Sequence, residues 1–417
     1  MVPNGWKDGR VGDLLKGLES GVSVNGEDRP LSDGEKGVLK VSAVSYGHFN
    51  PNAVKAIIAP IELERAKTSP KKGQIIISRS NTEELVGASA YIEEEYPNLY
   101  LPDKLWQTVP KANSNMKWLS YVLASEHSRY LLSNLATGTS GSMKNITKGE
   151  LLSLKIGIPQ LPEQRKIAKI LSTWDKAISA TERLIDNSKQ QKKALMQQLL
   201  TGKKRLLDDF GKTFEGEWEE KRISELGQIS SGGTPSTANP EYWDGDINWV
   251  TPTDITKQDS IYIESTARLV SLDGIKNSSA KLLPKGTLLV CTRATIGEMA
   301  IASHEMSTNQ GFKNIVPNEN TNIEFLYYLL NFYKHKLISK ASGSTFLELS
   351  KSAFEGLHFH IPEFQEQQKI AAVLLNADRE IELLQQQLAD IKQEKKALMQ
   401  QLLTGKRRVK VNEKEVA

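Results

Sequence analysis

The chain has 417 residues, 39% hydrophobic and 25% charged, with a formal net charge of +4. That length calls for two or more domains, and no run of eighteen apolar residues offers a membrane span. The single cysteine, Cys291, excludes an internal disulfide and a cysteine-based zinc site.

Nothing in the opening MVPNGWKDGR has the apolar stretch of a signal peptide, so a cytoplasmic location is expected. The first globular stretch opens at Gly5-Trp6-Lys7, followed by Val11, Asp13 and Leu14. The runs Gly37–Val44 (GVLKVSAV) and Gln74–Ser78 (QIIIS) predict strands, the second preceded by a Pro70-Lys71-Lys72-Gly73 turn and ended by Arg79. An acidic run, Glu93-Glu94-Glu95, reads as a solvated face. A helix then carries Trp118, Leu119, Tyr121 and Leu123, and a small polar turn follows at Gly138–Ser142. Leu154, Ile156 and Ile158 alternate as a closing strand.

A long helix comes next. Pro159 and Pro162 suit its first turn, and Gly202 suits the left-handed position past its end. Ile167, Leu171, Trp174, Ile178, Ile185, Leu195 and Leu199 keep a heptad seam, diluted by Thr181, Ser188 and Lys192. A short polar linker, Leu206–Glu215, leads into the second half.

The second half repeats this plan. It opens at Glu217-Trp218-Glu219, then Ile223, Glu225 and Leu226. Pro284-Lys285-Gly286 precedes the strand Thr287–Thr292 (TLLVCT), and Arg293 ends it where Arg79 ended the earlier strand. Phe325, Leu326, Tyr328 and Leu330 match the earlier helix, Ser342–Thr345 the polar turn, and Leu357, Phe359 and Ile361 the closing strand. The second long helix keeps its seam with Ile370, Leu374, Ala377, Ile381, Leu384, Leu388, Ile391, Leu398 and Leu402, broken by Lys395 and stopped near Gly405. KKALMQQLLTGK stands at both Lys192–Lys203 and Lys395–Lys406, so the chain is an internal duplication. Each helix spans about 40 residues, roughly 60 Å. Neither seam can stay in water, and the simplest partner for one copy is the other. The basic runs past the helix ends, Lys203-Lys204-Arg205 and Lys406-Arg407-Arg408, either complement the helix dipole or contact phosphate. The tail after Arg408 is charged and expected to fray.

Catalytic motifs are missing. No phosphate-binding loop, dinucleotide fingerprint, nucleophile elbow or zincin helix occurs. Gly232-Gly233-Thr234-Pro235 reads as a turn, and Asn239-Pro240-Glu241-Tyr242 lacks the second proline of an amino-methyltransferase motif. His358 and His360 share a strand face without a third ligand nearby. What remains suits binding. Ser78–Asn81, Trp249–Asp254, Lys276–Ser279 and Asn309–Lys313 interleave the amide, hydroxyl and basic side chains that read base edges, although any one of them can be an ordinary turn.

The chain resembles the DNA specificity (S, HsdS-type) subunits of type I restriction-modification systems. The resemblance rests on the repeated Ile-Pro…Glu-Gln-x-Lys-Ile-Ala junctions (Ile158–Ala168 and Ile361–Ala371), the repeated LMQQLLTGK, and GQISSGGTPSTANPEYWDGDINWVTPTDI at Gly227–Ile255. It implies an α/β (α+β) fold of two duplicated globular target recognition domains separated by two long antiparallel coiled-coil helices. The domains are expected at 1–157 and 206–360, the spacer helices at 158–205 and 361–408, and the tail at 409–417. Each domain would read one half of a split, asymmetric site on double-stranded DNA. The chain itself would be no enzyme and hold no cofactor or metal. Two modification (adenine methyltransferase) subunits and two restriction subunits would carry S-adenosylmethionine, ATP and magnesium. The candidate DNA contacts are Arg79, Ser80, Asn81 and Lys144 in the first domain. In the second they are Thr251, Thr253, Asp254, Lys276, Asn277, Arg293 and Lys313. A duplicated coiled-coil scaffold that binds proteins instead of DNA is the alternative.

Overall fold

The structure, a computed structural model, describes residues 3–138, 143–258, 260–343 and 347–411. Most of the first polar turn (139–142), part of the second (344–345) and the tail from 412 lie outside the described residues. The chain divides into two units. Unit 1 is Met1–Thr181 with Gln387–Ala417, and unit 2 is Glu182–Gln386. Both expected helices form, Leu161–Leu199 and Phe364–Leu402, each 39 residues or about 58 Å. Each contributes one half to each unit. Gly202 (φ 67°) and Gly405 (φ 68°) are left-handed, as a helix stop requires. Beyond them the Lys204 and Arg407 N–H groups reach back to the Gln198 and Gln401 carbonyls, both at 3.1 Å.

In unit 1 a four-stranded sheet runs Leu15–Ser20, Leu105–Pro110, Ile75–Ser78, Ser89–Tyr91 in spatial order. Ile75, Ile76 and Ile77 are fully buried, which explains a strand without alternation: both its faces are covered. The expected Gly37–Val44 strand is shorter. Gly37–Leu39 pairs with Val54–Ala56, and a 3-10 turn at Val41–Ala43 interrupts it. Lys155–Ile158 closes the unit against Lys7–Arg10. In unit 2 the matching strands are Gly227–Ser231, Phe312–Pro317, Leu288–Cys291 and Met299–Ala302, extended by Tyr262–Ile263. A three-stranded sheet, Leu269–Val270, Trp243–Val250, Met306–Thr308, packs beside it. Glu219–Arg222 and His358–Ile361 form its closing ribbon.

Inside each unit the two helix halves run antiparallel. In unit 1 Asp175 pairs with Lys395, while Ile167 and Leu171 are buried with Leu402. In unit 2 Ser188 donates to Glu380 at 3.2 Å and Lys192 pairs with Asp378, so position numbers fall on one helix as they rise on the other. Ile370 and Leu374 share a core with Leu199 and Leu200. Ser188, Lys192 and Lys395 are therefore cross-helix partners, whereas Thr181 donates to the Ala177 carbonyl of its own helix at 3.0 Å. A polar pair at a seam position fixes register at some cost in stability. Tyr121 and Tyr328 tie the globular parts to the helices by donating to Asp175 and Asp378, and burial pushes both phenols above their usual range.

A second device was not visible in the sequence. In unit 1 the buried Glu163 carboxylate accepts from the Trp6 indole at 3.0 Å and from Arg408 Nε and Nη2 at 2.7 and 2.8 Å. In unit 2 Glu366 accepts from Trp218 at 3.3 Å and from Arg205 at 2.6 and 2.7 Å. One carboxylate thus binds the start of one helix, the opening of the globular part and the chain just past the end of the other helix. The hydrogen bonds that Arg205 and Arg408 donate to Glu366 and Glu163 raise the pKa of both guanidiniums. This corrects the reading of the two basic runs. Arg205 and Arg408 are committed to these carboxylates, whereas Lys203, Lys204, Lys406 and Arg407 are exposed. The neighbouring Gln164 and Gln367 accept from the Asn115 and Asn322 N–H groups and donate to the carbonyls of Pro159 and of its counterpart Pro362.

Candidate nucleic-acid interface

In both units the central strand ends where the chain returns to cross it. In unit 1 Lys144–Asn145 pairs antiparallel with Ser80–Asn81. The Ile146 N–H donates to the Arg79 carbonyl at 2.9 Å. Four expected residues, Arg79, Ser80, Asn81 and Lys144, are thereby brought together. Arg79 is held by Asp103, its Nε on the carbonyl at 2.8 Å and its Nη2 on the carboxylate at 3.2 Å. Ser80 is buried, 3% exposed, so it sits behind the surface rather than on it. Asn81 accepts from the Thr82 N–H at 2.9 Å and keeps part of its side chain in solvent.

In unit 2 the same crossing joins Arg293 to Glu348. Here the Leu349 N–H donates to the Thr292 carbonyl at 3.0 Å. The pattern aligns Thr292 with Arg79, and therefore Arg293 with Ser80. A second pair of bonds agrees: Gly87 N–H to Ser78 and Gly297 N–H to Cys291. The sequence pairing of Arg79 with Arg293 is thus one residue out of register. Ser80 and Asn145 face each other in unit 1 where Arg293 and Glu348 form an ion pair at 2.8 Å in unit 2. The same backbone frame carries a neutral pair in one copy and a charged pair in the other.

Arg293 is set by a tight turn. Its carbonyl accepts from the Thr295 N–H at 2.6 Å across Ala294, whose φ of 57° is one L side chains rarely adopt. Such strain persists only where the surroundings enforce it. Lys313 stands on the adjacent strand, opposite Val290, and is 6% exposed. Among the described residues its amine has no hydrogen-bonded partner. Burial depresses its pKa, Glu348 opposes that shift, and Arg293 and Lys351 add to it. The loop Asn309-Gln310-Gly311 lies alongside: the Gly311 carbonyl accepts from the Thr292 N–H at 2.7 Å, and Thr234 donates to Gln310.

The other expected residues are placed differently. Thr251 and Asp254 form a capping box for Pro252–Thr256, with Asp254 accepting from the Thr251 N–H and hydroxyl at 2.8 and 2.6 Å and from the Ala267 N–H at 3.0 Å. Both carboxylate oxygens are engaged with the fold, whereas Thr253 on the same turn is exposed. Asp254→Ala is therefore expected to lower stability by about 1–2 kcal/mol, read as a shift in denaturant midpoint, and to leave base preference unchanged. A changed preference at unchanged stability would make Asp254 a DNA contact. Lys276 and Asn277 end the short helix Leu272–Lys276, exposed, with the Asn277 amide on the Asp273 carbonyl at 2.9 Å. Sequence reasoning missed Glu348, Lys351 and a stack of Arg268 on Trp243, 3.7 Å from guanidinium carbon to ring centroid. Arg268 lies far from Trp243 along the chain, and no local spacing joins them.

His358 and His360 lie exposed on one face, and among the described residues no group of three histidine, cysteine, aspartate or glutamate side chains is arranged to hold a metal. Among them, too, no helix is long and apolar enough to cross a membrane.

Comparison with known proteins adds a family. A family model described as the type I restriction modification DNA specificity domain matches twice, over residues 3–188 and 215–393. The MjaIX specificity subunit of a type I restriction enzyme from Methanocaldococcus jannaschii is 42% identical over 179 residues; the match covers 42% of this chain and 40% of that protein. A MjaX specificity subunit from the same organism, itself named as putative, is 25% identical over 421 residues, covering 98% and 95%. Among solved structures, the S subunit of a type I system from M. genitalium superposes with a TM-score of 0.59 at 15% identity, covering 97% of this chain and 98% of that one. An HsdS subunit from Thermoanaerobacter tengcongensis superposes at 0.52 and 18% identity, again over 97% and 98%. At these identities the structural likeness speaks for the fold alone.

Proposed function

The chain belongs to the type I restriction-modification DNA specificity family, and on that premise we propose that each of its units reads one half of a split site on double-stranded DNA. It is a specificity subunit, not an enzyme. One observation carries the half-site reading. The two units repeat the same backbone crossing at the end of the central strand, yet present Ser80 and Asn145 in one and Arg293 and Glu348 in the other. Framework side chains recur in both copies: Trp6 and Trp218, Glu163 and Glu366, Arg408 and Arg205, Asp175 and Asp378. A common frame with differing side chains at its crossing is what two independent readers need.

The unbroken 39-residue helices would set the spacing between the half-sites, since each belongs to both units. The recurring helix surfaces would dock two modification subunits, and restriction subunits would join through them. S-adenosylmethionine, ATP and magnesium would belong to those partners.

The test is to map methylated adenines in a host carrying the modification subunits, with and without this chain. A split motif that disappears on deletion supports the reading. An unsplit motif, or one that survives deletion, contradicts it. Within that assay, Arg293→Ala is expected to relax one position of the second half-site by about 1–3 kcal/mol of discrimination. In competition against random duplex at fixed salt, equal weakening of both would make Arg293 a phosphate contact instead.

A further inference from the structure

We propose that Arg268, whose guanidinium lies over the Trp243 ring, is a specificity-determining residue of unit 2 that donates to the acceptor edge of one base, a guanine, in the second half-site. The inference rests on the half-site reading above and names a residue that reading does not use.

Both layers of the stack are fixed. The Trp243 indole donates to the Ser236 carbonyl at 3.1 Å. Its ring meets Trp249 edge-on, centroids 5.0 Å apart and planes at 87°. Trp249 is buried and donates to the Gly233 carbonyl at 3.0 Å. The guanidinium carbon of Arg268 stands 3.7 Å from the Trp243 centroid and 5.3 Å from that of Trp249. Its own backbone is pinned as well: the Arg268 carbonyl accepts from the Trp249 N–H at 3.1 Å and the Thr266 hydroxyl at 2.7 Å.

The donors, by contrast, are free. Arg268 is exposed, and among the described residues no carboxylate lies within ion-pair distance of it. Arg79 and Arg293 are both paired, with Asp103 and Glu348. Arg408 also lies over an indole, Trp6, at 5.8 Å, but its donors are engaged with Glu163. Stacking occupies a face of the guanidinium and leaves its in-plane N–H fork open. A fork already held in one plane loses less freedom on binding than a loose arginine. Its two parallel donors match the O6 and N7 acceptors of guanine.

Position agrees with this role. From Trp249 the bonded path runs to Gly233, whose N–H donates to the Thr308 carbonyl at 2.9 Å. Next to it Thr234 donates to Gln310, and the Gly311 carbonyl accepts from Thr292, the residue before Arg293. Arg268 and Arg293 thus flank one stretch of loops. The framework pairs recur in both units, but among the described residues of unit 1 no arginine with free donors lies over a tryptophan. Differences between the copies are where a difference in reading must come from.

The test uses the full chain with its modification subunits and compares wild type with Arg268→Ala and Arg268→Lys, the lysine keeping charge without the fork. Methylated-adenine mapping reads both half-sites, and competition binding compares the target duplex with random duplex at fixed salt. The expected result for both variants is loss of a guanine preference at one position of the second half-site. Discrimination there should fall about ten- to hundredfold, with the first half-site unchanged. The proposal is overturned if both variants keep the wild-type motif. It is also overturned if Arg268→Ala weakens target and random duplex equally and Arg268→Lys restores both, which is a phosphate contact. A wild-type chain that yields no split motif removes the half-site reading itself, a result separate from any effect of the variants.

Discussion

Glu366→Ala is expected to destabilise unit 2 by about 3 kcal/mol. Breaking a buried ion pair by removing one partner costs roughly 3–5 kcal/mol, because the other charge is left uncompensated. The Glu366 side chain is fully buried, but that of Arg205 keeps 21% of its surface exposed, which places the effect at the lower end. The indole N–H of Trp218 loses its acceptor at the same time. Glu163→Ala should act in the same direction on unit 1, through Trp6 and Arg408, but less, since 43% of the Arg408 side chain is exposed and its charge is screened by water. Denaturant unfolding followed by hydrogen exchange separates the units, since the chain need not unfold in one step. A loss below about 0.5 kcal/mol, the level of an exposed pair, would show that the clasp contributes little.

The second large effect concerns spacing. Seven residues inserted after Thr181 and seven after Gln386 would lengthen both helices at the unit boundary. Seven residues preserve the heptad seam. The pairs Asp175–Lys395 and Lys192–Asp378 lie outside the insertions and keep their register. The added rise is about 10 Å, so the unread spacer is expected to grow by up to about three base pairs while both half-sites stay the same. An unchanged spacer in an active complex would mean that the helices do not set it.

Much of this was legible in the sequence because it is local or repeated. The KKALMQQLLTGK duplication, the proline starts and the glycine stops give two helices whose ends the structure places within a few residues. The IIIS and LLVC strands are read correctly because continuous apolar runs bounded by turns leave few alternatives. What escaped joins residues far apart in the chain. Arg205 and Arg408 look like solvated tail charges until the antiparallel helix halves carry them to Glu366 and Glu163. Asp254 looks like a free carboxylate until its capping box is seen. Arg293 aligns with Arg79 by eye, yet the backbone bonds to Leu349 and Ile146 show a one-residue offset. Register is set by pairing, and pairing is not written in either strand alone.

The central claim is that the units read independently on a shared frame. Its most direct measurement is an exchange of residues 11–153 for the corresponding segment of a family member with a different target. Trp6, both helices and Arg408 are retained, so that the Glu163 clasp can still form. Methylated-adenine mapping of the chimera should show a new first half-site, the original second half-site and the original spacing. A chimera in which both half-sites change would contradict the account.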